Sequence, residues 1–246
     1  LLAGANGGRA PAASPVYVIY NLRGFDDDGA FLYFSEGIGS GQGARPTADG
    51  LNAIYFRDQR NYPVEFEEGE FPLRIERYAI RPDSGGPGFH RGGCGVVRDV
   101  RIMVDCTMST RMDNVRFPCF GINGGGAGWP GRFLLNPGTV DERELPPAGE
   151  NIPVKAGDLL RVETGGGGGW GDPFTKPPVA VQRDVLEGFV TVEAALEQYG
   201  VALTAGDLKI DADATNTARS AAHVSEPTVD RGPNGHDWLA RLGVAE

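Results

Sequence analysis

Residues 81–99, RPDSGGPGFHRGGCGVVRD, constrain this chain more than any other stretch. They are rich in glycine and proline, yet they lie between two strand-like runs, 73–80 and 96–104, and carry the charges of Asp83, Arg91 and Arg98. Glycine allows two backbones, or a backbone and a ligand, to approach closely. Asp and Ser beside it bond the freed amides. The stretch therefore reads as a folded, rigid loop; whether it serves only the fold or also a site stays open from the residues alone. The same bias runs through the chain: 38 of 246 residues are glycine, about twice the usual share, with no collagen-like period. Glycines gathered at tight connections fit a β-rich fold.

Taken in order, residues 1–14 read as an extended arm. Runs 15–22 and 31–34 read as strands, joined by the DDDG hairpin turn of residues 26–29. Glu36 stands at a strand end, beside the glycine-rich loop 35–45. Further strands are expected at 51–56 and 61–66, the second carrying Glu65 with Pro63 at its start or edge. In 73–80 the apolar phase changes from Leu73 and Ile75 to Tyr78 and Ile80, which predicts a β-bulge at Glu76-Arg77. Strands at 96–104, 107–112 and 159–163 follow, the last after a turn at Lys155–Asp158.

Residues 165–169 are five consecutive glycines. A P-loop requires Lys and Ser/Thr leading straight into a helix, and neither is present. An anion nest of bare amides and close packing beneath Trp170 both remain open. A helix is expected at 177–187, ended by Gly188. A second is capped by Thr191, buries Val192, Ala195, Leu196 and Tyr199, and stops at Gly200. Residues 207–233 lack periodicity and read as an extended tail before a short final helix near 236–242.

The formal net charge of −10, without basic clusters, argues against nucleic acid and anionic membranes as partners. No apolar run approaches the roughly 18 residues of a span. Three cysteines, an odd and sparse set, fit reduced thiols and a cytoplasmic setting. His90 and Cys94 are four apart, but on a glycine loop and without a closed ligand set, so no metal site is expected in this chain. No nucleophile elbow occurs. Cys94, flanked by glycines and near Arg91, reads as structural.

Four stretches carry a family resemblance. DSGGPGFHRGGCGVVRD is similar to the DSGG-x-G-x-x-RGG-x-G-x-x-R segment of the hydantoinase B/oxoprolinase family. NYPVEFEEGEFPLRIERY, VKAGDLLRVETGGGGGWGDP and VQRDVLEGFVTVEAALEQYGV resemble family stretches in the same order. Together they span about residues 15–203. The resemblance implies the C-terminal half of the family's B component, a processed, split or fragmentary chain whose partners are the N-terminal half of B and an actin-like, ATP-binding A component. ATP with Mg would sit on that A component, and any metal ion in the N-terminal half of B. The implied activity is ATP-dependent hydrolysis of a cyclic amide (hydantoin, oxoproline or lactam) after carbonyl phosphorylation. Ketone carboxylation, or a non-catalytic scaffold role, is the alternative.

For such a small carbonyl substrate the expected catalytic residues are Asp83, Arg91 and Glu65. The substrate- or phosphate-binding candidates are Arg98, Ser84, Gly85, Gly86 and Glu36. The expected architecture is mainly β: a sandwich-like body of many short strands with glycine-rich loops over 1–174, two short helices in 175–203, and an extended tail over 204–246.

Overall fold

The computed structural model describes residues 9–16, 18–26, 28–55, 60–220 and 229–241. Two antiparallel sheets make the body. One has the order β2-β1-β5-β9, from β1 (Val18–Phe25), β2 (Phe31–Gly37), β5 (Cys106–Met112) and β9 (Ala148–Val154). The other has the order β3-β4-β10-β7-β8, from β3 (Leu73–Ile80), β4 (Val96–Ile102), β7 (Arg132–Leu135), β8 (Arg143–Leu145) and β10 (Leu159–Glu163). A small third sheet pairs β6 (Gly121–Ile122) with β11 (Val229–Asp230). Inward residues of both large sheets form one core, with Tyr20, Leu22 and Met108 from the first and Val100, Ile102, Phe133 and Leu160 from the second. The fold is mainly β and sandwich-like, as the sequence predicts.

The bulge in β3 is present: Ile75 pairs with Val100, but Arg77 pairs with Asp99 and Tyr78 with Arg98. One extra residue returns Tyr78 and Ile80 to the face of Leu73 and Ile75. The DDDG turn also forms, with Gly29 N–H donating to Asp26 O at 3.0 Å and Gly29 at φ +80°; Asp27 lies outside the described residues.

Of the two readings left open for the glycine run, close packing holds. None of residues 165–169 has positive φ. They form an extended central thread surrounded by other backbone segments. The amides of Gly166, Gly167, Gly168, Gly169 and Trp170 donate to the carbonyls of Trp129, Gly93, Ala13, Gly126 and His90. In return the Gly165, Gly167 and Gly168 carbonyls accept from Gly41, Gly86 and Ala44. The faces repeat every three residues: a Cβ on Gly166 would meet Ser84 O at 1.7 Å, and one on Gly169 would meet Pro87 O at 1.9 Å. Three residues per turn with no internal hydrogen bonds is the habit of a polyproline-II thread, and only glycine fits where such threads pack at their axis. The anion nest is therefore ruled out at these amides, each of which already has a carbonyl.

Several expected elements differ. Residues 51–55 make only an isolated bridge, Ser40 with Ile54, and Phe56 lies outside the described residues. In place of a strand at 61–66, helix α1 (Val64–Glu70) forms. Pro63 suits the residue before a first turn, and Glu65 and Glu67 at the N-terminal turn favour the helix dipole. Helices α2 (Pro178–Leu186) and α3 (Val192–Tyr199) follow prediction, with Gly188 at φ +75°, Gly200 in the left-handed region, and the Thr191 side chain accepting from Ala194 N–H. Leu196, however, is 46% exposed, and Ala194 takes its place in the satellite core. The tail is not extended throughout. It holds α4 (Ala212–Ser220), whose Ala214 N–H is capped by Asp211, and α5 (Gly232–Arg241). Arg219 ties α4 to the Tyr199 and Lys176 carbonyls. Among the described residues, no helix is long and apolar enough to cross a membrane.

Candidate functional site

Two buried charge clusters flank the glycine bundle. The first begins with strand periodicity. Arg98 shares its face of β4 with Val96, Val100 and Ile102, so its guanidinium enters the core, at 1% exposure. A lone buried cation there would be severely unfavourable. Two carboxylates meet it: Glu36 from the inward face of β2, 2% exposed, and Glu67 from α1, 0% exposed. Arg98 Nη2 bonds Glu67 Oε2 and lies 3.0 Å from Glu36 Oε1. Tyr20, paired across the hairpin with Glu36, donates from Oη to Glu36 Oε2 at 2.5 Å. Tyr78, set opposite Arg98 by the bulge, places its ring 4.8 Å from the guanidinium.

Two carboxyls share one arginine. Burial pushes Glu36 up to about 8 against the pull of Arg98, and burial also raises Glu67. Both carboxyls reach the same nitrogen, Arg98 Nη2. With Arg98 positive, one proton on the pair makes the cluster neutral. A cleft of about 260 Å³ reaches Glu36, lined also by Ile19, Ser35, Tyr55, Arg60, Asn61 and Tyr62.

The second cluster is built on the central loop. Arg91, 3% exposed, lies 3.5 Å from Asp184 of α2, bonds Asn52 Oδ1 at 3.1 Å and stacks 4.9 Å from the Phe189 ring. Lys176 bridges Asp184 at 2.7 Å and Asp49 at 3.1 Å. Asp83, at φ +59°, donates its amide to Phe189 O and holds Thr191 N–H on its carboxylate. This network clamps the two helices to the loop.

The eight sequence candidates thus separate. Glu36 lines the cleft and pairs with the buried Arg98. Asp83 and Arg91 sit in the clamp. Ser84 Oγ donates to Arg81 O and accepts from Gly95 N–H. The Gly86 amide bonds Gly167 O, and Gly85 packs on the Gly92 carbonyl. Glu65 points to solvent from α1. The carboxylate that reaches Arg98 is Glu67, two residues on. Its signal was the Glu65–Glu67–Glu68 run after Pro63, readable as a helix start. Among the described residues, no three His, Cys, Asp or Glu side chains converge as metal ligands.

Residues 1–173 match the family model described as hydantoinase B/oxoprolinase. The chain belongs to the hydantoinase B/oxoprolinase family. It is 33% identical over 180 residues to a Pseudomonas sp. (strain NS671) protein named as the B-type chain of a D-/L-hydantoinase, covering 72% of this chain and 30% of that protein. It is 30% identical over 217 residues to the acetophenone carboxylase delta subunit of Aromatoleum aromaticum, covering 74% and 32%. The crystal structure of an ATP-dependent caprolactamase from Pseudomonas jessenii superposes with a TM-score of 0.73 at 25% identity, covering 89% of this chain and 40% of that one. This hydantoinase B/oxoprolinase chain therefore spans about a third of the length of these two relatives.

Proposed function

We propose that this chain is part of the B component of an ATP-dependent, multi-subunit enzyme that opens a cyclic amide after a partner A component has phosphorylated the carbonyl oxygen. The observation that carries this is the joint likeness to a hydantoinase B-type chain in sequence and to an ATP-dependent caprolactamase in sequence and fold. The physical logic agrees. An unstrained amide is a poor electrophile, and a phosphoryl group on its oxygen supplies a leaving group. The B side must then hold developing charge in a shielded cavity. The cleft at Glu36, of about 260 Å³, has room for a small ring. The amides of residues 166–170 are held by carbonyls, which supports placing ATP and its Mg on the partner. Any metal centre belongs, in this reading, to the N-terminal half of B. Arg98 and Glu36 are the residues on which this chain's contribution rests, with Asp83 and Arg91 as structural supports.

A second reading is ATP-dependent ketone carboxylation, favoured by the 217-residue alignment with the acetophenone carboxylase delta subunit. One experiment separates them. The complex is purified from its source and assayed with ATP, with and without bicarbonate, on hydantoin, 5-oxoproline, caprolactam and acetophenone. Substrate-dependent ADP release with ring opening, independent of bicarbonate, is expected. A bicarbonate requirement favours carboxylation. A chain that purifies alone, and turns over nothing with ATP, overturns both.

A further inference from the structure

We propose that Glu36 and Glu67 hold one proton between them, and that Glu36 delivers it to the ring nitrogen of a neutral cyclic amide seated in the cleft between β2 and Asn61. This deepens the cyclic-amide reading above and rests on it.

Glu36 Oε1 and Glu67 Oε1 are both buried without a hydrogen-bond donor, although Glu36 Oε1 is within ion-pair distance of Arg98. The other oxygen of each is taken, Glu36 Oε2 by Tyr20 Oη and Glu67 Oε2 by Arg98. Two orphaned acceptors on carboxyls that share Arg98 Nη2 call for a proton between them, because a buried polar atom without a partner is strongly disfavoured. Of the two, Glu36 lines the cleft and Glu67 does not. Asn61 Nδ2 is a second buried polar atom without a partner, and its residue lines the same cleft. A carboxylic acid and an amide N–H₂ are the complement of a ring N and its carbonyl oxygen. Arg60 lines the cleft as a cation for phosphoryl oxygens.

The step balances with water and the phosphorylated carbonyl of the proposed reaction. Once water has added to that carbon and lost one proton to solvent, its oxygen gives up the second and forms C=O as the C–N bond breaks with its electron pair going to nitrogen. Nitrogen takes the proton from Glu36. The acyl phosphate so formed is hydrolysed by a second water to carboxylate and phosphate. The Glu36 carboxylate left behind keeps Tyr20 and Arg98 as partners until water returns the proton. An acid that titrates near the working pH is best suited to such a transfer.

The test uses the purified complex with 5-oxoproline, hydantoin and caprolactam as probes. For Glu36→Gln, ring-opened product should fall about 100-fold or more, while substrate-dependent ADP release stays within about threefold, because phosphorylation belongs to the partner. Asn61→Ala should raise KM about tenfold with a smaller change in kcat. For Glu67→Gln, the alkaline limb of the kcat/KM profile should move to lower pH, since Glu36 then keeps Arg98 without a competing carboxylate. The other groups facing the pair are Tyr20 from β1, Tyr78 from β3, Glu68 on α1 and Arg60 in the cleft. Ring opening by Glu36→Gln at the wild-type rate overturns the proposal. So does an equal fall in ADP and product, which marks a structural role. If Glu36→Gln does not assemble, an unshifted Glu67→Gln limb with an unchanged Asn61→Ala KM overturns it. A wild-type complex that releases no ADP with any cyclic amide defeats the underlying reading instead, and this assignment with it.

Discussion

Gly167→Ala should be among the most damaging single-methyl additions in the chain. The φ of Gly167 is not in the positive region, so alanine strains no dihedral there and the effect is steric alone. The new Cβ would stand 2.2 Å from the carbonyl carbon and oxygen of Gln42 and 2.4 Å from Gly43 N. Carbon contacts normally open to about 3.5 Å or more, so the 42–43 backbone must retreat by roughly 1 Å. That retreat strains the bonds from Gly93 N–H to Gln42 O, 2.7 Å, and from Ala44 N–H to Gly168 O, 2.9 Å. Overpacking costs about 1–3 kcal/mol, and two weakened buried hydrogen bonds add about 1 kcal/mol each. The sum, about 3–5 kcal/mol, is a large share of a typical domain's stability. At about 2–4 °C per kcal/mol for a chain of this size, Tm should drop by roughly 6–20 °C in a circular-dichroism melt. Gly69→Ala is the control. It lies in α1 with nothing within 4 Å of its Cβ position and should gain about 0.5–1 kcal/mol. A Gly167→Ala melt within about 2 °C of wild type, or above that of Gly69→Ala, would refute the packed-thread account.

Three further outcomes are expected. Arg98→Met leaves two facing carboxyls buried without their cation and should lose about 3–5 kcal/mol in urea denaturation; a loss under about 1 kcal/mol would mean the cluster is not closed. Glu36, held at about 8 in the folded chain by burial, lies above its unfolded value of about 4.3, so its contribution is intact below that value and is lost as pH rises through 8. The urea midpoint should therefore fall between pH 5 and pH 9, at no more than about 1.4 kcal/mol per pH unit, and fall less in Glu36→Gln; a rise would contradict the sign. Burial raises all three thiols, Cys106 to about 11 and Cys119 to about 12, so iodoacetamide at pH 8 should label the folded chain slowly and the urea-unfolded chain fast. Rapid labelling of the folded chain would show an opening that the buried cysteines exclude.

Local chemistry was legible wherever one residue decides the backbone. Thr191, Gly188 and Gly200 bound their helices because capping and left-handed termination act within a turn. The β3 bulge could be read from a phase change across two residues. The site was half legible: Arg98 and Glu36 stood out as charges among glycines and apolar neighbours. Glu67 did not, because Val64 and Phe66 give α1 a strand-like alternation, and its helix is decided by Pro63 and by packing on the sheet. The five-glycine run was the opposite case. Its composition suggested a loop, but its conformation is set by partners up to 155 residues away, Ala13 and Gly41 among them, which no local window contains.

The glycine threads have a thermal consequence. Their contacts are amide to carbonyl, with no hydrocarbon side chain at the axis, so unfolding them wets polar surface. Exposed polar area lowers the heat capacity of unfolding, whereas exposed apolar area raises it. A chain with such a centre should show a heat-capacity increment below the usual ~12–15 cal/mol/K per residue. Its stability curve should accordingly be flatter, holding more of its strength toward the cold end than a sandwich filled only with aliphatic side chains.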